Sequence, residues 1–197
     1  PGKPIKPLNE AAIRLIIYHT LRKQLGLAPV HGRDAVKCFH CGKQILPFDQ
    51  GRPDLLVMNR YGYQTVLEVK KLNDAAGDKS YAFAEHKENQ VKWMDWWTTV
   101  TEEEKMWHYQ PIGFFAIGTT APETLQIWVM EWKAWNETIV SAATKINKKS
   151  VSITTLDKLM GQYKLIKKDK NWEFPYDHPI WTILANVTPV NSVNSAI

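Results

Sequence analysis

Three ionisable residues within positions 52–71 have the types and the spacing to carry out chemistry. Asp54 follows Pro53, thirteen residues separate it from Glu68, and Lys70 lies two positions further on. Carboxylates are hard oxygen ligands, which suit Mg²⁺ or Mn²⁺ better than Zn²⁺. An ammonium group beside such an ion could orient or deprotonate a water molecule, or stabilise charge on a phosphate. The three residues therefore predict a magnesium or manganese site that acts on phosphate esters.

The sequence around these residues predicts a β-hairpin that would bring them together. Its parts are an apolar strand at 55–58, a turn at 59–62 and a returning β-rich strand at 65–69. Side chains alternate across a strand, so Glu68 and Lys70 should share one face, with Leu67 and Val69 on the other. Both carboxylates and the ammonium group should then meet at one end of the hairpin.

Ordinary structural roles also account for these residues and stay open. An Asp after a Pro often begins a turn, and a Glu and a Lys two apart on a strand often form a solvated face or a cross-strand ion pair. The spacing should also occur by chance in roughly a few per cent of chains of this length. The elements on either side of the hairpin must therefore be considered too.

A first helix should begin at an Asn9 cap and end at Gly26, with Glu10 in its opening turn. Its apolar positions recur at helical spacing: Ala12, Leu15, Ile16, Leu21 and Leu25. A second helix is predicted at 82–98 and carries Gln90. Glu10 could simply favour the helix dipole, and Gln90 could be a solvated or capping residue. Two more strands are predicted at 112–117 and 125–130.

The pattern Pro53-Asp54, thirteen residues, then Glu68-Val69-Lys70 resembles the signature of the PD-(D/E)XK nuclease superfamily. The resemblance implies an α/β fold with a restriction-endonuclease-like core, in which helices flank a central mixed sheet. The element order α-β-β-β-α-β would then cover residues 8–132, provided that a strand lies between 36 and 50. A Cys-containing insertion would precede the catalytic hairpin.

The resemblance also implies Mg²⁺-dependent (or Mn²⁺-dependent) hydrolysis of DNA phosphodiester bonds. Asp54, Glu68 and the Val69 carbonyl would hold the ion, Lys70 would position the attacking water, and Glu10 and Gln90 would complete the site. Duplex, branched and single-stranded DNA are all open as substrates, and a homodimer would fit cleavage of two strands. Phage or prokaryotic recombination and repair are the expected settings, with Holliday-junction resolvase-like, RecB-like, restriction-type and exonuclease members as the candidates.

Cys38 and Cys41 form a CxxC knuckle that is shaped like half of a structural zinc site. The remaining ligands would have to come from histidines such as His31 or His40, or from a second chain. A reduced cysteine pair in a turn is the alternative. An alternative function follows: a zinc-stabilised nucleic-acid-binding or adaptor protein without catalysis.

Composition favours one domain with a large core. The chain has 197 residues, of which 44% are hydrophobic, and its formal net charge of +5 favours polyanionic partners. Nine tryptophans indicate an aromatic core, a base-stacking surface, or both. The expected division is a nuclease core at 8–135 with an insertion at 28–51, followed by a basic extension at 136–197. The lysines at 145–170 would contact phosphate or solubilise the surface.

No apolar run approaches the roughly 18 to 20 residues that a membrane span needs. Two cysteines this close together do not make a secreted disulfide framework. We therefore expect a cytoplasmic protein, in a bacterial or virus-infected cell, without a membrane partner.

Overall fold

The computed structural model describes residues 7–26, 28–31, 53–58, 64–72, 80–99 and 112–182. They form an α/β fold around one mixed five-stranded sheet. Its strands are β1 (Ala28–His31), β2 (Leu55–Met58), β3 (Gln64–Lys71), β5 (Gly113–Gly118) and β6 (Ile127–Glu131). They lie side by side in the order β1-β2-β3-β5-β6. β3 and β5 are parallel, and all other neighbours are antiparallel.

Helices cover both faces of this sheet. They are α1 (Glu10–Leu25), α2 (Glu88–Thr98), α3 (residues 132–145) and α4 (Ile153–Met160). α3 is π-helical over Trp135–Val140. Two short two-stranded ladders complete the fold: β4 (Ser80–Ala82) with β7 (Ser150–Ser152), and β8 (Ile166–Lys168) with β9 (Asn171–Glu173). The coarse expectation of a mixed sheet between helices is confirmed.

Both predicted ends of α1 are confirmed. The Asn9 side chain accepts a hydrogen bond from the Ala12 amide at 2.9 Å, and Gly26 ends the helix with a φ of 60°. The expected apolar face is wrong at Leu15, whose side chain is 49% exposed. The buried positions are Ile13, Ile17, Thr20 and Leu21. They share the face that packs on the sheet, whereas Leu15 lies two residues from both Ile13 and Ile17 and points away.

The sheet separates two hydrophobic cores. Strand residues of one parity, such as Leu67 and Val69, pack with α1, and those of the other parity, such as Val66 and Phe115, pack with α2 and α3. Most tryptophan bulk lies in the second core, where Trp128, Trp132 and Trp135 are buried. This confirms the expectation of core packing for those three. Trp96 on α2 is instead 68% exposed.

The second predicted helix begins later than expected. Residues 80–82 form β4, Phe83–Glu85 is a 3-10 turn, and α2 starts only at Glu88. The helical interpretation of 82–87 was wrong because Tyr81 pairs with Val151 of β7, and the Phe83 amide donates to the Lys149 carbonyl at 2.9 Å. A partner strand 70 residues away along the chain therefore overrode local helical spacing.

The insertion predicted at 28–51 also needs correction at its start, because residues 28–31 form β1 and pair with β2. With β1, the order helix, three strands, helix and strand runs through α1, β1, β2, β3, α2 and β5, with β4 as an added short strand. The strand expected between 36 and 50 lies outside the described residues, as do Cys38 and Cys41.

The described residues beyond residue 135 pack closely on the sheet. The Leu165 amide donates to the Ile127 carbonyl at 2.8 Å, and the Phe174 amide donates to the Gln24 side chain at 2.6 Å. Leu165, Phe174 and Ile180 are buried in the core beneath α1. The division into a core at 8–135 and an extension at 136–197 stays a prediction, and residue 135 itself lies inside α3.

Among the described residues, the helices are all too short or too polar to cross a membrane.

Gly118→Ala should destabilise the fold, because its new methyl carbon would lie 2.8 Å from a carbon of the fully buried Ile13 side chain. We expect a loss of about 1–3 kcal/mol in the free energy of unfolding, measured by urea denaturation. Gly161→Ala is the matched control, since no described atom lies within 4 Å of its new methyl. An equal loss in both variants would contradict the close approach of α1 to β5.

Candidate active site

Asp54 lies where β2 and β3 stop pairing. The last pair between these strands is Leu55 with Leu67, whereas β3 continues beside β5 as far as Lys71. Beyond Leu67 the Asp54 side chain takes the place of a strand, since its Oδ2 accepts a hydrogen bond from the Val69 amide at 3.0 Å. Asp54 is fully buried and is therefore fixed at the carboxyl end of β3.

Arg14 of α1 holds the other oxygen of Asp54. Its Nη1 donates to Oδ1 at 2.8 Å, in an ion pair that is buried on the carboxylate side. Sequence reasoning missed this residue. The available signal was its position one helical turn after Glu10, next to the buried Ile13.

Glu68 is the centre of the site. Its carboxylate is 1% exposed, and Oε1 accepts hydrogen bonds from both Lys70 Nζ and Gln90 Nε2. Oε2 is buried and has no hydrogen-bond partner among the residues that the structure describes. A buried acceptor left without a partner costs about 1–3 kcal/mol, so its presence needs an explanation.

The predicted convergence of Asp54, Glu68 and Lys70 is thus present in the structure. Glu68 and Lys70 share one face of β3, as alternation requires, and Leu67 and Val69 pack in the opposite core. The structure also brings in Gln90 from α2, whose side chain is 8% exposed. Together with Arg14 of α1, these groups come from β3, the bend before β2 and two helices.

Gln90 braces Glu68. It is the third residue of α2, and its Oε1 accepts from the Lys87 amide at 3.4 Å while its Nε2 donates to Glu68. The side chain therefore caps the helix and positions the carboxylate at the same time. The Gln90 amide nitrogen carries a second N–H, so it could also contact a substrate without breaking the bond to Glu68.

Charges in the site oppose and balance one another. Burial first, and then the charge of Asp54, raises the pKa of Glu68 to about 7, against the lowering effect of Lys70. Glu10 raises the same pKa further. Two carboxylates face the two cations Arg14 and Lys70. The cations offset part of the cost of burying a charged Glu68, but its raised pKa means that the ionised form is still disfavoured.

Glu10 lies at the edge of the site. It is half-buried in the first turn of α1, and its charge acts on both Glu68 and Tyr81. Within the described part of the chain there is no group of three or more His, Cys, Asp or Glu side chains arranged to hold a metal ion. Glu10 therefore does not form a three-carboxylate cluster with Asp54 and Glu68.

The remaining donors nonetheless suit a magnesium ion, which is commonly held by one or two carboxylates together with water. The Val69 amide points towards Asp54, and the N–H and C=O of a strand residue point to the same side, so the Val69 carbonyl also lies at this edge. Oε2 of Glu68, which has no described hydrogen-bond partner, would be available as a second oxygen ligand. Asp54, Glu68 and Val69 thus fit a divalent cation. The zinc expectation for Cys38 and Cys41 lies outside the described residues.

The buried Tyr81 and the half-buried His86 lie together beside the acidic groups. The Tyr81 hydroxyl lies 3.3 Å from His86 Nδ1, and the imidazole packs against the rings of Phe115 and Trp132. Burial and the charge of Lys70 lower the pKa of His86 to about 3, so it is neutral at pH 7. This packing supports a structural role for His86 in the aromatic core.

No family model matches this chain, and no curated protein matches its sequence.

The raised pKa of Glu68 should make metal-free protein less stable as pH rises. Because the pKa is about 7 in the folded chain and 4.5 as its ordinary value, the stabilisation from the bound proton is fully present below pH 4.5. It declines as pH rises from 4.5 and is lost once pH passes about 7. We expect the stability difference between wild type and Glu68→Gln to fall by up to about 3 kcal/mol across this range. Urea unfolding in EDTA at several pH values measures it. A difference that stays constant with pH would contradict the environment assigned to Glu68.

Proposed function

We propose that this protein is a Mg²⁺-dependent nuclease of the PD-(D/E)XK type, which hydrolyses DNA phosphodiester bonds. The observation that carries the proposal is the buried meeting of Asp54, Glu68 and Lys70, with one oxygen of Glu68 left without a described partner. Burying two carboxylates costs several kcal/mol, and a structural role alone would favour satisfying both oxygens of each. A cation bound to Oε2 of Glu68 would explain why this buried oxygen has no partner among the described residues.

Asp54, Glu68 and the Val69 carbonyl would hold the ion, with Mn²⁺ as a substitute. A divalent cation in such a place neutralises charge on the phosphate and activates water. Arg14 and the Val69 amide keep Asp54 in position, and Gln90 does the same for Glu68. Each carboxylate is therefore held by a residue from another element, and this fixes the distance between the two carboxylates.

Lys70 is the residue that moves or orients a proton. Its ammonium group contacts Glu68, and the Lys70 side chain is itself buried, with 8% of its surface exposed against 1% for Glu68. In this position it would orient the attacking water or stabilise the charge that develops on the phosphate. Glu10 and Arg14, on the first turns of α1, are the more accessible groups and mark the side from which a phosphodiester would approach.

DNA is the proposed substrate because the chain is basic overall and the chemistry is that of phosphate esters. Recombination, repair or phage DNA processing is the proposed setting, by a Holliday-junction resolvase-like enzyme or an exonuclease. A homodimer, which would place two such sites on two strands, and a cytoplasmic location belong to the same proposal.

Loss of a ligand or of the ammonium group should abolish cleavage. Asp54→Asn and Lys70→Met should each lower the single-turnover rate by about 10²- to 10⁴-fold, which is the usual contribution of a side chain that takes part in proton transfer. The measurement uses duplex, single-stranded and branched DNA, and matching RNA, with Mg²⁺, and Ca²⁺ as the binding-only condition. Asp157→Asn is the matched control, because this aspartate is exposed and pairs only with Lys164 among the contacts described. Full activity in either site variant would refute the assignment.

Metal affinity should depend on pH through Glu68. Because the carboxyl must lose its proton before it can bind a cation, Mn²⁺ affinity should rise about tenfold per pH unit below pH 7 and level off above it. Titration of the Mn²⁺ electron paramagnetic resonance signal measures this. Glu68→Gln should remove the pH dependence along with most of the affinity. Binding that persists unchanged in this variant would place the ion elsewhere.

The charge balance of the site favours one other function, a nucleic-acid-binding or adaptor protein without catalysis. Arg14 and Lys70 each already neutralise one carboxylate, as in a purely structural ion-pair network. Zinc at Cys38 and Cys41 would stabilise such a protein. Stoichiometric zinc together with an absence of cleavage on every nucleic acid tested would support this function, and cleavage that depends on Asp54 would exclude it.

A further inference from the structure

The fold divides the lysine-rich tail into two groups on opposite faces of the sheet. Lys145, Lys148 and Lys149 lie between α3 and β7, whose Val151 packs in the core beneath α2 and α3. Lys167, Lys168 and Lys170 lie in the β8–β9 hairpin, which continues into Phe174 of the core beneath α1. The sequence shows one basic stretch, whereas the structure shows two surfaces.

The hairpin presents its lysines on a fixed support. Asp169, with a φ of 55°, helps to close the tight turn between the two strands. The Gln24 side chain of α1 accepts from the Phe174 amide at 2.6 Å. The Thr20 hydroxyl lies 3.3 Å from the Trp172 carbonyl and shares its proton with the Ile16 carbonyl at 2.9 Å. The three lysines are all exposed, although the strands that carry them are held against α1.

Charge on this face is strongly one-sided. The last turn of α1 adds Arg22 and Lys23, both exposed, so that in the described part of α1's last turn and the hairpin five cations accompany the acidic residues Asp169 and Glu173. Lys164 does not belong to the group, because it pairs with Asp157 at 2.9 Å and lies over the ring of Trp128. We call Arg22, Lys23, Lys167, Lys168 and Lys170 the basic face.

The other lysine group has an acidic neighbour. The Lys149 carbonyl accepts from the Phe83 amide, which places the group beside the 3-10 turn that ends at Glu85. Glu85 is exposed, and its charge reaches as far as Tyr81. A polyanion would therefore be attracted less strongly to this surface than to the basic face.

Helix α1 connects the basic face to the candidate active site. Arg14 contacts Asp54, and Thr20 and Gln24, six and ten residues further along, hold the hairpin. At 1.5 Å per residue these positions lie about 9 to 15 Å along the helix from Arg14. That length corresponds to about three to four base-pair steps of B-form DNA.

From this placement we infer that the basic face holds the sugar-phosphate backbone of a nucleic acid about three to four nucleotides from the bond at Asp54 and Glu68. The inference rests on the proposed function for the nature of the polyanion. It assigns backbone binding to the hairpin and the end of α1, and it assigns the lysines at 145–149 to an ordinary solvated surface.

The test compares two triple variants with the same change in charge. Each replaces three exposed lysines with Gln, at 167, 168 and 170 or at 145, 148 and 149. Binding to a duplex and to a single strand is measured by fluorescence anisotropy in Ca²⁺ over a series of NaCl concentrations. The hairpin triple should lose about 2 to 3 units of the slope of log K against log[NaCl], and affinity should fall roughly tenfold or more at 0.1 M salt. The control triple should lose less than about one unit.

Equal losses in both triples, or none in the hairpin triple, would overturn the inference. Thermal unfolding of each variant verifies that the fold is intact, as expected for exposed side chains. Ca²⁺ serves here as the binding-only condition. A loss of affinity confined to the hairpin triple would therefore support the inference even if the nuclease assignment failed. Conversely, cleavage by a protein whose hairpin triple keeps its affinity would overturn the inference and leave the nuclease assignment intact. Binding to phosphatidylserine vesicles but not to nucleic acid, if lost in the hairpin triple, would identify a membrane surface as the partner and overturn it too.

Discussion

The hydrogen bond from the Val69 amide to Asp54 is the contact on which the site depends. β3 is an interior strand, and an interior strand without a neighbour would leave its backbone amides without partners. Where β2 ends, the Asp54 carboxylate accepts the Val69 amide and closes this gap. The same bond holds a fully buried charge at the carboxyl end of β3, beside parallel β5, the kind of edge at which α/β proteins bind ligands.

Once Asp54 is buried, the surrounding charges are constrained. A lone buried carboxylate would shift its pKa until it became neutral, so cations must be supplied from neighbouring elements. Arg14 comes from α1 and Lys70 from β3 itself, and Gln90 from α2 orients Glu68. The two helices on opposite faces of the sheet are thereby linked through one polar cluster. A change in the packing of either helix would alter the positions of the carboxylates.

The same sheet also determines on which face of the protein each group of lysines lies. Residues of alternating parity along β3 and β5 face different cores, and the chain beyond α3 contributes to both. Two lysine groups that are neighbours in sequence are therefore carried to different faces. One face carries α1, with Arg14 at one end of the helix and the β8–β9 hairpin at the other. The proposed active site and the proposed binding surface thus contact the same helix, α1, at different positions along its length.

The sequence by itself determined the hairpin, the caps of α1, and the shared face of Glu68 and Lys70, because turn chemistry and side-chain alternation act over a few residues. It did not determine that β1 begins at Ala28 or that residues 80–82 form a strand, because their partners lie far along the chain. Arg14 was missed for the same reason, because it reaches Asp54 only when α1 packs against the end of β3. Spacing could nominate Asp54, Glu68, Lys70 and Gln90. Only the tertiary structure could decide that Gln90 positions Glu68, that Glu10 lies at the edge of the site, and that Oε2 of Glu68 has no partner among the described residues. Those outcomes depend on which buried groups satisfy one another.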